Sequence, residues 1–161
     1  MPIVLARIDD RLIHGQVVEG WLPALKVRRV VVVCDDAEGD PTQTALMQLC
    51  LPESVALEVR SVKDGPEALR RADSAAERTM VLVPGPSEML ALLEGGARLE
   101  SVNVGGLHYV AGTVRLGKAI FLSAEDVRAL EAIAARGVRI EGRAVPTESP
   151  SDVMALIRSR G

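Results

Sequence analysis

The sequence predicts an α/β protein built on an open, mainly parallel sheet. Three observations carry that reading. Short apolar runs alternate with longer amphipathic ones along the whole chain. Some runs, Val30 to Val33 above all, are continuous and β-branched, as strands covered on both faces require. Helix caps and breakers, such as Asp40-Pro41, Gly95-Gly96 and Gly137, fall where one kind of run gives way to the other.

Taken in order, residues 2–6 form the first strand and residues 14–25 the first helix. Strands follow at 29–34, 55–62, 79–83, 99–104 and 138–144, with a shorter hairpin within 109–121. Asp40 caps the second helix, Pro41 occupies its first turn, and it ends before Pro52. Asp64 and Glu67 open the third helix at capping-box spacing. Residues 86–94 form the fourth helix. Ser123 opens the fifth, whose inner stripe is Val127, Leu130, Ile133 and Ala134. Residues 151–158 form a short last helix. No repeat, low-complexity tract or linker divides the chain, so residues 1–161 read as a single domain.

Composition narrows the function. Of 161 residues, 48% are hydrophobic, enough for a core without disulfides or metal. Only one Trp, one Tyr and one Phe are present, so the core is aliphatic and stacking platforms for bases are scarce. The net charge is −3 and basic residues come only in pairs, Arg28-Arg29 and Arg70-Arg71, which argues against nucleic acid as a partner. Cys34 and Cys50 lie in apolar contexts without CxxC spacing, and both read as buried, reduced thiols. The first apolar run is too short for a signal peptide, and no run reaches the ~20 residues that span a bilayer. A cytoplasmic protein is the expectation.

In open α/β sheets ligands sit beyond the carboxyl ends of the strands, so the loops after strands come first. The loop after strand one, residues 7–16, places Arg7, Asp9, Asp10, Arg11 and His14 between a buried strand and a helix. His14 stands near the helix start, where free N–H groups, those of Gly15 and Gln16 included, can cradle an anion. Gly15 has no Cβ to keep a phosphate away. Arg11 offers a planar fork for phosphoryl oxygens, and the uncharged imidazole is a nucleophile. Positioning and charge are most of what phosphoryl transfer needs. An ordinary surface loop with an ion-pair cluster and an incidental His fits the same residues about equally well. No Walker, GxGxxG or GxSxG motif supports a nucleotide or hydrolase reading.

The run Arg7-Ile8-Asp9-Asp10-Arg11-Leu12-Ile13-His14-Gly15-Gln16-Val17-Val18-Glu19-Gly20-Trp21 closely resembles the N-terminal signature of IIB components of the mannose/fructose/sorbose class of bacterial sugar phosphotransferase systems. Weaker matches follow at Val102–Leu107, Leu122–Asp126 and Val145–Thr147, in the expected order. The resemblance implies a sheet of about seven strands with helices on both faces. It implies that His14 accepts a phosphoryl group at Nδ1 from a IIA partner. The group then passes to a sugar carried by the membrane components IIC and IID, which can hold the protein at the inner membrane face. It implies that Arg11 stabilises the phosphoryl group, and it calls for no cofactor.

Other residues have two readings each. Asp9 can orient Arg11 or His14, or cap its own loop. Arg7 can belong to the partner-binding face or be a strand-end charge. Asp35 and Asp36 can bind Mg²⁺, but a loop or helix-start role fits better. Gly105 and Gly106 can admit the active-site loop or make a tight turn. His108 can border the site, although a surface role suits it better. Trp21, two helical turns beyond His14, suits packing on the sheet more than sugar binding. A phosphorylation-dependent regulatory module is the alternative to a transport carrier. A noncovalent nucleotide or small-molecule binder is a third, weaker reading. The sugar and any homo-oligomer are not legible in the pattern.

Overall fold

A computed structural model describes residues 2–108, 110–117 and 120–160. Nine strands are present among them: β1 (Ile3–Asp9), β2 (Arg29–Val33), β3 (Ala56–Arg60), β4 (Thr79–Val83), β5 (Ser101–Gly106), β6 (Val114–Leu116), β7 (Ile120–Leu122), β8 (Arg139–Gly142) and β9 (Ser151–Asp152). A π-helical segment, Gln16–Trp21, runs into α1 (Leu22–Ala24). The other helices are α2 (Asp35–Glu38), α3 (Pro41–Cys50), α4 (Gly65–Ser74), α5 (Pro86–Glu94), α6 (Ala124–Ala135) and α7 (Val153–Arg160).

The main sheet has seven strands in the order β3-β2-β4-β1-β5-β8-β9. All its pairings are parallel except β8 with β9. β6 and β7 form a separate antiparallel hairpin. The expected α/β class and the covering of both faces are therefore observed. Alternate strand residues divide the core in two. Val31, Val33, Val81 and Val83 face Leu69, Met89, Leu92, Leu130 and Ile133 of α4, α5 and α6. Val30, Val32, Met80 and Leu82 face Val17, Trp21, Leu22 and Met47. Each fully buried aliphatic side chain contributes about 1.5–3 kcal/mol, so the two slabs bind every helix to the sheet.

The topology places a crevice. The connection leaving β1 crosses one face toward β2, and the chain leaving β5 runs the other way toward β8. Neighbouring strands with diverging exits open a cleft at their carboxyl ends. Here that cleft lies between the 9–16 loop and the Gly105-Gly106 end of β5.

Several expectations need correction. The first helix starts at Gln16 rather than His14, and its opening turns are π-helical. Asp64 occupies the cap position of α4 but makes no side-chain cap bond, and Glu67 pairs with Arg70 at 2.8 Å instead. Cys34 is buried and free as expected, but Cys50 is exposed. The reason is that α3 buries only Met47, so an apolar neighbourhood in sequence did not mean burial there. α2 and the two-residue β9 were not anticipated. Of the hairpin at 109–121, positions 109, 118 and 119 lie outside the described residues. By contrast, Asp40 accepts from the Gln43 N–H at 3.1 Å, and Ser123 with Asp126 closes a full capping box.

Candidate functional site

The site begins where β1 ends. Asp9 pairs in register with Gly106 of β5, and the Asp10 N–H donates to the Gly106 carbonyl at 3.1 Å. The chain then turns sharply. Leu12 N–H donates to the Asp9 carbonyl at 3.0 Å, and Leu12 takes a left-handed conformation with φ of 57°. A bulky residue in that region costs of order 1–3 kcal/mol and survives only where packing enforces it. Buried Leu12 and Ile13 provide that packing. The turn delivers His14 to the cleft.

Asp9 is the hub, fully buried with three cationic or polar groups converging on it. Its Oδ2 accepts from Arg7 Nη2 and Arg11 Nη2 at 3.1 Å each, and lies 2.9 Å from His14 Nε2. Its Oδ1 accepts from the Arg11 backbone N–H and from Arg11 Nε, both at 3.1 Å. Burial alone would raise the carboxyl pKa. Hydrogen bonds from His14 and Arg11 outweigh it and hold Asp9 far below the usual carboxylate range. Asp9 is therefore an anion and can only accept. Nε2 of His14 is thus the nitrogen that donates to Asp9, and in the uncharged form of the ring the lone pair sits on Nδ1. Among the described residues no hydrogen bond engages that Nδ1 atom.

Arg7 is a fully buried core residue, so its side chain is neither on a partner-binding face nor a strand-end surface charge. Its Nη1 donates to Asn103 Oδ1 at 2.7 Å and to the Arg143 carbonyl at 2.8 Å. Its Nη2 donates to the Ala144 carbonyl at 3.0 Å as well as to Asp9. Burial lowers its pKa, and the Asp9 charge offsets this. The Trp21 ring lies 5.3 Å from the guanidinium, and Trp21 Nε1 donates to the Ala144 carbonyl at 2.9 Å. Trp21 thus packs in the core, as expected. Gly105 exists for Arg7: a Cβ there would overlap the guanidinium. At Gly106 a Cβ would lie 2.9 Å from Arg11 Nη2. The two glycines admit the arginines, which answers the turn-or-approach alternative.

Gln16 accepts from Arg11 Nη2 at 2.9 Å. Gly15 faces open space, since nothing lies within 4 Å of a Cβ built on it. His108 is tied to Asp10 of the same loop: its ring Nδ1 lies 2.5 Å from Asp10 Oδ1, and its main-chain N–H donates to Oδ2 at 2.7 Å. Asp35 and Asp36 are not brought to His14. They open α2 beyond β2, with β4 between β2 and β1, and Asp35 accepts the Val62 N–H at 2.8 Å. Sequence reasoning missed Asn103, Arg143 and Ala144 as partners of Arg7. Two of these act through backbone carbonyls, which no side-chain pattern reveals. The pairing of Arg7 with Asn103 across β1 and β5 is the one signal that strand order would have exposed.

The family model described as "PTS system sorbose subfamily IIB component" matches residues 3–161. The chain belongs to this IIB family. A fructose-specific EIIB component of Bacillus subtilis (strain 168) is 31% identical over 99% of the chain and 98% of its own length. A mannose-specific EIIAB component of Escherichia coli (strain K12) is 36% identical over 98% of the chain. This chain spans about half the length of that relative, 49%. Among solved structures, the IIBSor domain of the sorbose permease from Klebsiella pneumoniae superposes with a TM-score of 0.92 at 28% identity, covering 100% of this chain and 99% of that one. Among the described residues of this IIB chain, no helix is long and apolar enough to cross a membrane.

Proposed function

We propose that this IIB chain is a phosphohistidine carrier. His14 Nδ1 accepts a phosphoryl group from a phosphohistidine on a IIA protein and delivers it to a sugar brought in by IIC and IID at the cytoplasmic face of the membrane. The observation that carries this reading is the 2.9 Å contact between His14 Nε2 and the ionised Asp9. With Nε2 donating to Asp9, Nδ1 is the nitrogen whose lone pair is available to attack phosphorus in the uncharged ring, which supports the reading.

The chemistry is a simple displacement. The P–N bond to the donor imidazole breaks as the P–N bond to Nδ1 forms, and the donor ring leaves with its electron pair. Arg7 and Arg11 carry two positive charges against one on Asp9, so the cluster holds a net positive charge for the incoming group. Arg11, partly exposed beside His14, is the cation that meets the phosphoryl oxygens. The main-chain N–H groups of Gly15 and Gln16 lie at the same helix start and suit an anion. In the second transfer the sugar hydroxyl attacks phosphorus, Nδ1 leaves with its pair, and the hydroxyl proton goes to solvent.

The test is phosphoryl uptake from phosphorylated IIA, followed by mapping of the modified atom. One acid-labile phosphate on Nδ1 of His14 is expected, passed to sugar in membranes holding IIC and IID. Uptake at the wild-type rate by His14→Ala would overturn the assignment.

A further inference from the structure

We propose that the side-chain amide of Gln16 is itself a phosphoryl-binding group. In the free protein it holds Arg11. Once His14 is loaded, it releases Arg11 and donates to a phosphoryl oxygen. This rests on the carrier reading above and goes beyond it by assigning a second side chain to the transferred group.

The geometry leads there stepwise. Arg11 spends Nε and its main-chain N–H on Asp9 Oδ1, so one side of its fork is fixed. Its Nη2 is shared between Asp9 Oδ2 at 3.1 Å and Gln16 Oε1 at 2.9 Å. Asp9 Oδ2 in turn holds His14 Nε2. Gln16 is therefore joined to the imidazole by an unbroken chain of contacts through Arg11 and Asp9. It is also the first residue of the π-helical segment, two residues after His14. Its side chain is partly exposed and lines a cavity of about 540 Å³ with Gly105, Arg143, Ala144 and Glu148.

The choice of an amide matters. A carboxylate at this position would hold Arg11 equally well, but it would cancel the positive charge that Arg7, Arg11 and Asp9 leave. A neutral acceptor keeps Arg11 in place and leaves that charge intact. A phosphoryl oxygen is a stronger partner for a guanidinium than an amide oxygen, so it displaces Oε1 from Nη2. The last torsion of Gln is broad and roughly two-fold, so the amide can turn its NH₂ toward the phosphoryl group. An amide supplies both roles. A carboxylate could not donate, and an aliphatic chain could do neither. The amide makes hydrogen bonds only, and no bond to it forms or breaks.

Phosphoramidate is the probe, because it needs no IIA protein. Its P–N bond breaks, ammonia leaves, and the new P–N bond forms at His14 Nδ1. Uptake and hydrolysis are followed by ³¹P NMR in the wild type, Gln16→Glu and Gln16→Met. Gln16→Glu is expected to slow uptake at least tenfold with an unchanged or raised unfolding midpoint. Gln16→Met is expected to shorten the phosphohistidine half-life at least threefold. Wild-type uptake and half-life in both variants would overturn this inference alone. If the wild type took up no phosphate either from phosphoramidate or from phosphorylated IIA, the carrier reading would fall and this inference with it.

Discussion

His14 Nε2 and Asp9 Oδ2 lie 2.9 Å apart, and the same oxygen accepts from both Arg7 and Arg11. One carboxylate thus fixes the imidazole ring and balances two guanidinium groups. Orientation of the imidazole and charge of the cluster are coupled through a single buried atom.

Replacing Asp9 with Asn should disturb both. The buried Arg7 would lose its counter-charge, and breaking a buried pair in this way costs about 3–5 kcal/mol. The ring would lose its obligate acceptor, and transfer should fall roughly 10–100-fold, by analogy with the carboxylates that orient metal-ligating histidines. Because folding depresses the Asp9 pKa, its contribution is fully present above the unfolded value near 3.8 and is lost as pH falls below it. Urea unfolding followed through Trp21 should therefore show a wild-type advantage at pH 7 that narrows below about pH 4. A constant gap across that range would contradict the ionised state assigned to Asp9.

The fold was largely legible because its signals are local. Val30 to Val33 and the run at 79–83 could only be buried strands, and β4 and α5 have the bounds that pattern suggested. Strand order was not legible, since crossovers place β4 between β2 and β1 without any mark in the sequence. The site was legible in part for the same reason. Arg11 and His14 lie in one short loop, and Gln16 opens the helix directly after it. The setting of Arg7 depends on Asn103, Arg143 and Ala144, about a hundred residues away or more, and on the absence of a Cβ at Gly105. Cys50 and Asp64 failed because helix exposure and cap geometry are tertiary outcomes.

Two glycines near the Asp9 cluster, Gly105 and Gly15, should respond oppositely to Ala. At Gly105 a Cβ would overlap the Arg7 guanidinium, which has nowhere to move within the core. Gly105→Ala should destabilise by about 1–3 kcal/mol, the range for overpacking. Gly15 has a φ of −51° and open space around it. Gly15→Ala should be neutral or stabilising by about 0.4–1 kcal/mol. If a phosphoryl group approaches the main chain there, the same substitution should slow phosphate uptake. Chemical denaturation and the uptake assay, run on both variants, separate the two effects.

The capping box of α6 offers a control far from the chemistry. Ser123 accepts from the Asp126 N–H at 3.0 Å, and Asp126 accepts from the Ser123 N–H at 2.9 Å. Ser123→Ala should cost about 1 kcal/mol, typical of a lost cap. Phosphate uptake should stay at the wild-type rate, since no side-chain hydrogen bond or ion pair joins Ser123 to the Asp9 cluster among the described residues. A large loss of uptake would mean that α6 feeds the site by a route the contacts do not show.

Glu88, at the start of α5, is expected to be a weak point for stability. Burial raises its pKa, a hydrogen bond from its own main-chain N–H offsets part of this, and the charges of Asp35, Asp126 and Asp36 add to the rise. A carboxyl raised by folding binds its proton more tightly in the native state, so stability falls as pH climbs through the interval between the unfolded and folded values. Above that interval the ionised Glu88 is a standing cost. Gln mimics the protonated form without titrating. Glu88→Gln should therefore raise the unfolding midpoint at pH 7.5, and the gain should vanish near pH 4, where wild-type Glu88 is itself protonated. Thermal melts at the two pH values decide it. An equal gain at both would place the effect in packing, and a loss at pH 7.5 would show that the carboxylate is needed at the start of α5.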